Sequence, residues 1–165
     1  MKKLLIVGAG GHGRVVAEVA QDCGYDQIVF LDDNSPEAIG KISEMDRFLS
    51  EYKEAFVGIG NNQIRGDLLK QLGDAGYQIP ILIHPTAYVS KTAQIQSGTL
   101  VEPKAVVNTH AVIGEGCIIS VGAIVDHDTK LQRCVHVNAG AIVKAGSNMK
   151  AFQRLDAGML WDGRE

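Results

Sequence analysis

What the sequence lacks narrows its class first. No apolar run approaches the roughly 20 residues that a membrane-spanning helix needs. The opening Met1-Lys2-Lys3-Leu4-Leu5-Ile6-Val7 is too short for a signal peptide and glycines follow at once, so it reads as a first strand. Neither charge is in excess: a net charge of −3 gives no reason to expect nucleic acid or an anionic membrane as partner. Any anionic ligand must therefore be held by local groups. The three cysteines, Cys23, Cys117 and Cys134, have no metal-ligand spacing, so no metal site is expected. Cys117 and Cys134 read as small packing residues, and a reducing, cytoplasmic setting is the simplest. A flexible linker is missing too. The chain's 165 residues, 45% hydrophobic and 21% charged, suit one domain or two small ones with a proper core.

A count of six runs through everything after residue 82. From Ile83 each sixth residue is apolar: Val89, Ile95, Val101, Val107, Ile113, Ile119, Val125, Leu131, Val137, Val143, Met149, Leu155, Trp161. Four places after each stop, as far as Ser147, stands a small or modest side chain such as Ala87, Thr99, Cys117 or Ala141. A helix repeats at 3.6 residues and an ordinary strand at two, so neither produces this pattern. It predicts a parallel β-helix whose coils bury their apolar faces only by stacking. The repeat resembles that of the hexapeptide-repeat acyltransferases, which implies a left-handed helix with three hexapeptides per triangular coil. A β-helix with a purely structural role shares the same repeat.

The first 82 residues read as a small Rossmann-like parallel sheet. A buried strand, Lys3 to Val7, runs into Gly8-Ala9-Gly10-Gly11-His12-Gly13 and a helix from Arg14 to Cys23, with Val15, Val16, Val19 and Ala20 at helical spacing. Strand, glycine turn and helix open a nucleotide-binding unit, where backbone N–H groups meet a phosphate. Glycine turns equally serve close packing. A second strand, Gln27 to Leu31, ends at Asp32-Asp33, where an acidic residue commonly takes a ribose hydroxyl. Ser43-Glu44-Met45-Asp46 reads as a capped short helix. A third strand, Ala55 to Ile59, ends at Gly60-Asn61-Asn62, and Asn61 or Asn62 can cap a helix carrying Ile64, Leu68, Leu69 and Leu72 and closing at Gly73 or Gly76. Gly60 then lies on the sheet edge where open α/β folds bind ligands. The expected domains are 1–82 and 83–165.

Val125-Asp126-His127-Asp128 carries the chemistry. Val125 takes the interior place, so His127 and Asp128 fall on an outward corner. A carboxylate beside an imidazole fixes its tautomer and stabilises its charged form, which suits a general base. An exposed His-Asp pair is also ordinary surface.

Taken together, the glycine loop, Phe30-Leu31-Asp32-Asp33, Gly58-Ile59-Gly60-Asn61-Asn62 through Arg65, Leu82-Ile83-His84-Pro85 and Asp126-His127-Asp128 resemble the PglD/NeuD group of sugar acyltransferases, in particular its UDP-4-amino-sugar N-acetyltransferases. The resemblance covers nearly the whole chain in order. It implies acetyl-CoA-dependent N-acetylation of a UDP-linked 4-amino-4,6-dideoxy sugar, with His127 as general base and Asp128 raising its basicity. It implies nucleotide-sugar contacts at Gly10, Gly11, His12, Asp32, Asp33 and Gly60. His136, nine residues after His127, falls on the family's acetyl-CoA histidine. Ala145 falls on the oxyanion-stabilising N–H, and Ala157 on a later coenzyme contact. A homotrimer with acetyl-CoA between subunits is implied as well. His84 and His110 match no catalytic position and read as structural or exposed.

Two departures stand out. Where the family carries Asn-Thr before the catalytic histidine, this chain has Ser120-Val121. The repeat also loosens from Gln153, with Met159 at a place kept small earlier and Asp156 where glycine is common. The family's β-helix continues beyond the point reached by Trp161-Asp162-Gly163-Arg164-Glu165, which implies a truncated or rearranged end and weakened acetyl-CoA binding. The competing readings are a sugar O-acetyltransferase of the sialic acid type and a catalytically impaired nucleotide-sugar-binding trimer. An NAD-dependent oxidoreductase is the weakest reading, since no substrate domain accompanies the repeat.

Overall fold

A computed structural model describes residues 1–163; Arg164 and Glu165, the end of the expected second domain, lie outside the described residues. The chain forms two compact units, Met1–Pro80 and Ile81–Glu165. No helix among the described residues is long and apolar enough to cross a membrane.

The first unit is a parallel sheet of β1 (Lys3–Val7), β2 (Gln27–Leu31) and β3 (Ala55–Val57) in the order β2-β1-β3. Helix α1 (Gly11–Asp22) joins β1 to β2, a 3₁₀ helix (Ile42–Phe48) joins β2 to β3, and α2 (Asn62–Ala75) follows. Leaving β1 the chain moves one way, and leaving β2 it crosses back, so the order reverses between β1 and β3. Such reversal points are where open α/β sheets bind ligands.

The glycines divide by job. A Cβ on Gly13 would lie 2.1 Å from the Gly8 carbonyl oxygen, and one on Gly58 would lie 2.7 Å from the Gly13 Cα. Gly8, Gly13 and Gly58 therefore let α1 and two strand ends touch backbone to backbone. This contact starts α1 three residues earlier than the apolar spacing suggests and ends β3 at Val57 rather than Ile59. Two further expectations are corrected and one open choice is decided. Lys41, not Ser43, caps the 3₁₀ helix, with the Glu44 carboxylate accepting the Lys41 N–H. Ile64 on α2 is exposed, because only Leu68, Leu69 and Leu72 of the four reach the core. Asn61 is the residue that caps α2, accepting the Ile64 N–H, and Gly76 ends the helix in the left-handed conformation.

The second unit is a β-helix of two-residue strands. Eighteen-residue steps pair them into three parallel sheets, here called faces A, B and C. Face A stacks Ile83, Val101, Ile119, Val137 and Leu155 inward. Face B stacks Val89, Val107, Val125, Val143 and Trp161. Face C stacks Ile95, Ile113, Leu131 and Met149. The smaller members of the repeat, including Ala105, Ala111, Cys117, Ala123 and Ala141, fill the same core. The ladder runs unbroken through Trp161, so the looser sequence after Gln153 does not disturb the coil.

Every sixth residue from Gly98 to Gly158 has a positive φ and turns a corner. Glycine fills most of these places, but Lys104, His110, Asp128, Cys134 and Phe152 hold φ between 55° and 65°. Cys134 is thus a corner residue as well as a fully buried one, in keeping with the packing role expected of it. For a non-glycine residue this conformation costs about 1–2 kcal/mol.

Two substitutions separate these roles. Gly13→Ala should prevent stable folding, because its new methyl meets backbone. Gly140→Ala meets nothing within 4 Å but must hold φ at +63°, so it should cost about 1–2 kcal/mol. Denaturant melts read both, and a wild-type midpoint for Gly13→Ala would contradict the packing.

Candidate active site

In the first unit the expected contacts gather on the carboxyl edge of the sheet. Gly10, Gly11 and Gly60 have nothing within 4 Å of where a side chain would begin. Unlike Gly8, Gly13 and Gly58, they serve no packing and leave backbone open to a ligand. Gly10 caps α1 without any side-chain bond, and no acidic residue sits in the first turn, so first-turn N–H groups of α1 face an anion-ready edge.

Asp32 is spent partly on building this edge. Its Oδ2 accepts the Ala9 N–H at 2.8 Å, and its Oδ1 accepts those of Asn34 and Ser35 at 2.9 and 3.0 Å. The Ala9 bond foremost, with those two, holds its carboxyl below the usual range. Asp33 accepts the Ile42 N–H at 3.1 Å and is otherwise exposed.

Arg65, fully buried, pins the Gly60 loop: its guanidinium donates to the carbonyls of Ile59 and Gly60 at 3.1 and 3.0 Å, and to Asn62 Oδ1 at 2.7 Å. Burial first, and the Arg65 charge second, push the His12 imidazole down to about 4. His12 is therefore neutral at physiological pH, a hydrogen-bonding group and not a cation.

In the second unit His127 and Asp128 stand at the corner between faces B and C, with side chains 54% and 61% exposed. His127 Nδ1 lies 2.7 Å from Asp128 Oδ2. The carboxylate holds the proton on Nδ1, which leaves Nε2 with its lone pair. That bond foremost, aided by the charge of Asp126, raises the His127 pKa above its ordinary value. Asp126 anchors the turn by accepting the His127 N–H at 2.7 Å and the Asn108 side-chain amide at 2.9 Å. Asn108 was not singled out from the sequence; it sits one coil before Asp126, which only the eighteen-residue step reveals.

One coil above His127 is Ala145, beside the Gly146 N–H that donates to the His127 carbonyl at 3.0 Å. At the equivalent corner places Thr109, His127 and Ala139 each give their N–H to the Asn or Asp side chain just before them. Lys144 precedes Ala145, offers no acceptor and instead pairs with Asp162. Among the described residues the Ala145 N–H takes no partner.

His136 and Ala157 are not brought to this corner within one chain. His136 is on face A, buried, with Nε2 3.0 Å from the Ser120 hydroxyl. Ala157 is exposed at the corner between faces A and B. His110 turns an exposed corner, and His84 Nδ1 accepts the Thr86 N–H, so both serve the coil.

Known proteins share this architecture. Residues 3–72 match the family described as the PglD N-terminal domain. The acetyltransferase domain of PglB from Neisseria gonorrhoeae FA1090, solved with acetyl coenzyme A, is 38% identical with a TM-score of 0.91, covering 96% of this chain and 81% of that one. The chain belongs to the PglD-type sugar acyltransferases. A further relative, the UDP-N-acetylbacillosamine N-acetyltransferase of Bacillus subtilis (strain 168), is 33% identical over 110 residues, 60% of this chain. The match spans half the length of that curated relative. PerB from Caulobacter crescentus, solved with CoA and GDP-perosamine, is 27% identical with a TM-score of 0.84, over 99% of this chain and 90% of that one.

An NMR titration of the imidazoles tests the couple. The His127 midpoint should lie above the ordinary value of about 6.5, and Asp128→Asn should lower it by removing the charge that stabilises the imidazolium. A wild-type midpoint at or below the ordinary value would break the proposed pairing.

Proposed function

We propose that this chain is an acetyl-CoA-dependent N-acetyltransferase acting on the amino group of a UDP-linked 4-amino-4,6-dideoxy sugar. The observation that carries this reading is the His127–Asp128 couple, exposed at a corner directly beneath the available N–H of Ala145. The named activities of the relatives, on UDP- and GDP-linked amino sugars, support the substrate class.

The chemistry follows from the two groups. His127 Nε2 takes a proton from the sugar amine as its nitrogen bonds to the thioester carbonyl carbon. Asp128 stabilises the imidazolium that forms. The Ala145 N–H donates to the developing oxyanion, a role worth most when the donor needs no reorganisation. As the tetrahedral centre collapses, the C–S bond breaks and the proton on His127 passes to the leaving sulfur. Amide and free CoA thiol result, and the base is regenerated. No cysteine stands at this corner, so transfer is direct. In the first unit, the open glycines Gly10, Gly11 and Gly60 with the N–H groups of α1 are assigned to the nucleotide diphosphate, and His12, Asp32 and Asp33 to neighbouring polar groups of the nucleotide sugar.

Assembly completes the proposal. The outward column of face B is apolar throughout: Tyr88, Val106, Ile124, Ile142 and Leu160, with Tyr88 and Leu160 both 58% exposed. Three copies placing face B around a threefold axis would bury this column. Closed rings of that kind pair different edges of neighbouring subunits. The B/C corner of one copy, with His127, would then meet the A/B corner of the next, with Ala157 beside the face that carries His136. Residues that one chain keeps apart would line one acetyl-CoA site, which supports the assignment of His136, Ala145 and Ala157 to the coenzyme.

His127→Ala should lower kcat by roughly 10²–10⁴-fold, the usual contribution of a positioned base, with KM for both substrates little changed. Thiol release from acetyl-CoA reads the rate, and near-normal turnover would remove His127 from the role. A product stable to mild base marks an amide, and a labile one marks an O-acetyl ester. Ile142→Glu should convert the trimer to monomer in sedimentation; a wild-type mass would exclude face B as the interface.

A further inference from the structure

The corner that carries His127 runs on into a buried hydroxyl with no part in the mechanism above. Thr129 follows Asp128 and is fully buried. Its Oγ1 lies 3.4 Å from the carbonyl oxygen of Lys144, one coil above. The same carbonyl accepts the Ser147 N–H at 3.1 Å. That bond closes a turn in which Gly146 holds φ at +69°. The peptide that joins Lys144 to Ala145 thus has two donors on its oxygen, and its N–H takes no partner among the described residues.

We propose that Thr129 is a positioning residue whose hydroxyl, bonded to the Lys144 carbonyl, aims and strengthens the Ala145 N–H. The proposal rests on the assignment of that N–H to the oxyanion. A carbonyl only accepts, so the hydroxyl is the donor. The peptide is trans and planar, and its C=O and N–H point opposite ways. With the oxygen held by Thr129 and Ser147, the N–H is fixed pointing away from both. Each bond to the oxygen also polarises the amide, which makes its N–H a better donor.

Packing does not call for this hydroxyl. Ala111 and Ala93 hold the same place one and two coils below. Nor does the Lys144 carbonyl need it, since the Ser147 N–H already satisfies that oxygen. The geometry itself recurs at another corner. There the Thr99 hydroxyl and the Cys117 thiol reach the carbonyls of Gly114 and Gln132, each fifteen residues on, at 3.0 and 3.2 Å. Beyond Gly114, however, the Glu115 N–H is taken by Gln96 Oε1. The Thr129 bond ends instead on a peptide with an open N–H, one coil above His127.

Thr129→Val exchanges the hydroxyl for a methyl and leaves the carbonyl its Ser147 bond; Thr129→Ala copies the residue at Ala111. Proton–nitrogen spectra of the full-length protein read the Ala145 amide, and thiol release from acetyl-CoA reads its use. Both variants should move the Ala145 amide proton upfield. Both should lower kcat about tenfold, less than the 10²–10³-fold typical of losing an oxyanion donor outright, with KM for both substrates little changed. Thr129→Ser, which keeps the hydroxyl, should restore the resonance and the rate. Thr99→Val, the same exchange at the other corner, should alter neither. An Ala145 resonance unmoved in the valine and alanine variants, or a serine variant as slow as they are, overturns the positioning role. A resonance that moves while kcat holds keeps the link to Thr129 and overturns the assignment of the Ala145 N–H to the oxyanion.

Discussion

The eighteen-residue ladder is the constraint on which the second unit depends. Each strand N–H donates to a carbonyl one coil on, as in Leu82 to Thr99, Leu100 to Cys117 and Ile118 to Val135. A coil cannot slip by one residue without turning its interior aliphatics outward, so the register is set by the core itself. Once it is set, sequence position becomes spatial position. Residues eighteen apart are stacked neighbours: Asn108 under Asp126, His127 under Ala145. The polar constellations of this unit are short columns on that ladder.

The first unit reaches a comparable end by another route. There the backbone is exposed by removing side chains at three points and by crowding three others. Gly8, Gly13 and Gly58 bring strand ends and helix together, and this contact aims the start of α1 at the sheet edge. Asp32 and Arg65 then stiffen the loops on either side, one by accepting three N–H groups and the other by donating to two carbonyls and an amide. Arg65 keeps its charge without a carboxylate among these partners, and the same charge helps keep His12 neutral. One buried guanidinium thus contributes both to loop stiffness and, after burial itself, to the ionisation state at the edge.

Much of this was legible in the residues and some was not, for physical reasons. The interior period was plain because burial selects strongly at every sixth place. The corner period was half hidden: glycine marks it at several places, but Lys104, His110, Asp128, Cys134 and Phe152 occupy left-handed corners that their identities do not announce. Helix α2 declared its cap to within one residue, Asn61 or Asn62, whereas the 3₁₀ helix took Lys41 over Ser43, because its carboxylate partner Glu44 reaches back three residues. The His127–Asp128 couple could be read as neighbours in sequence. Thr129 could not, since a threonine at a small packing place reads as core until the ladder sets the Lys144 carbonyl above it. Ala145 was named through the resemblance alone; that its N–H takes no partner follows from the lack of an Asn or Asp before it, which the structure shows.

Asp128 shows why the couple belongs at a corner and not on a face. In an extended strand consecutive side chains point to opposite sides, so a histidine and the residue after it cannot meet. A left-handed residue breaks that alternation, and with φ at +57° Asp128 turns its carboxylate to within 2.7 Å of the imidazole. The position therefore makes two demands that few residues satisfy together. Glycine would adopt the turn without strain and lose the carboxylate. Glutamate would keep the charge but lacks the tolerance for this conformation that short Asp and Asn side chains have. Aspartate meets both, and the strain it accepts is held by the ladder on either side, through the Asp128 N–H to Thr109 and the His127 carbonyl from Gly146. The same hydrogen bonds that stack the coils thus hold the base against its orienting carboxylate.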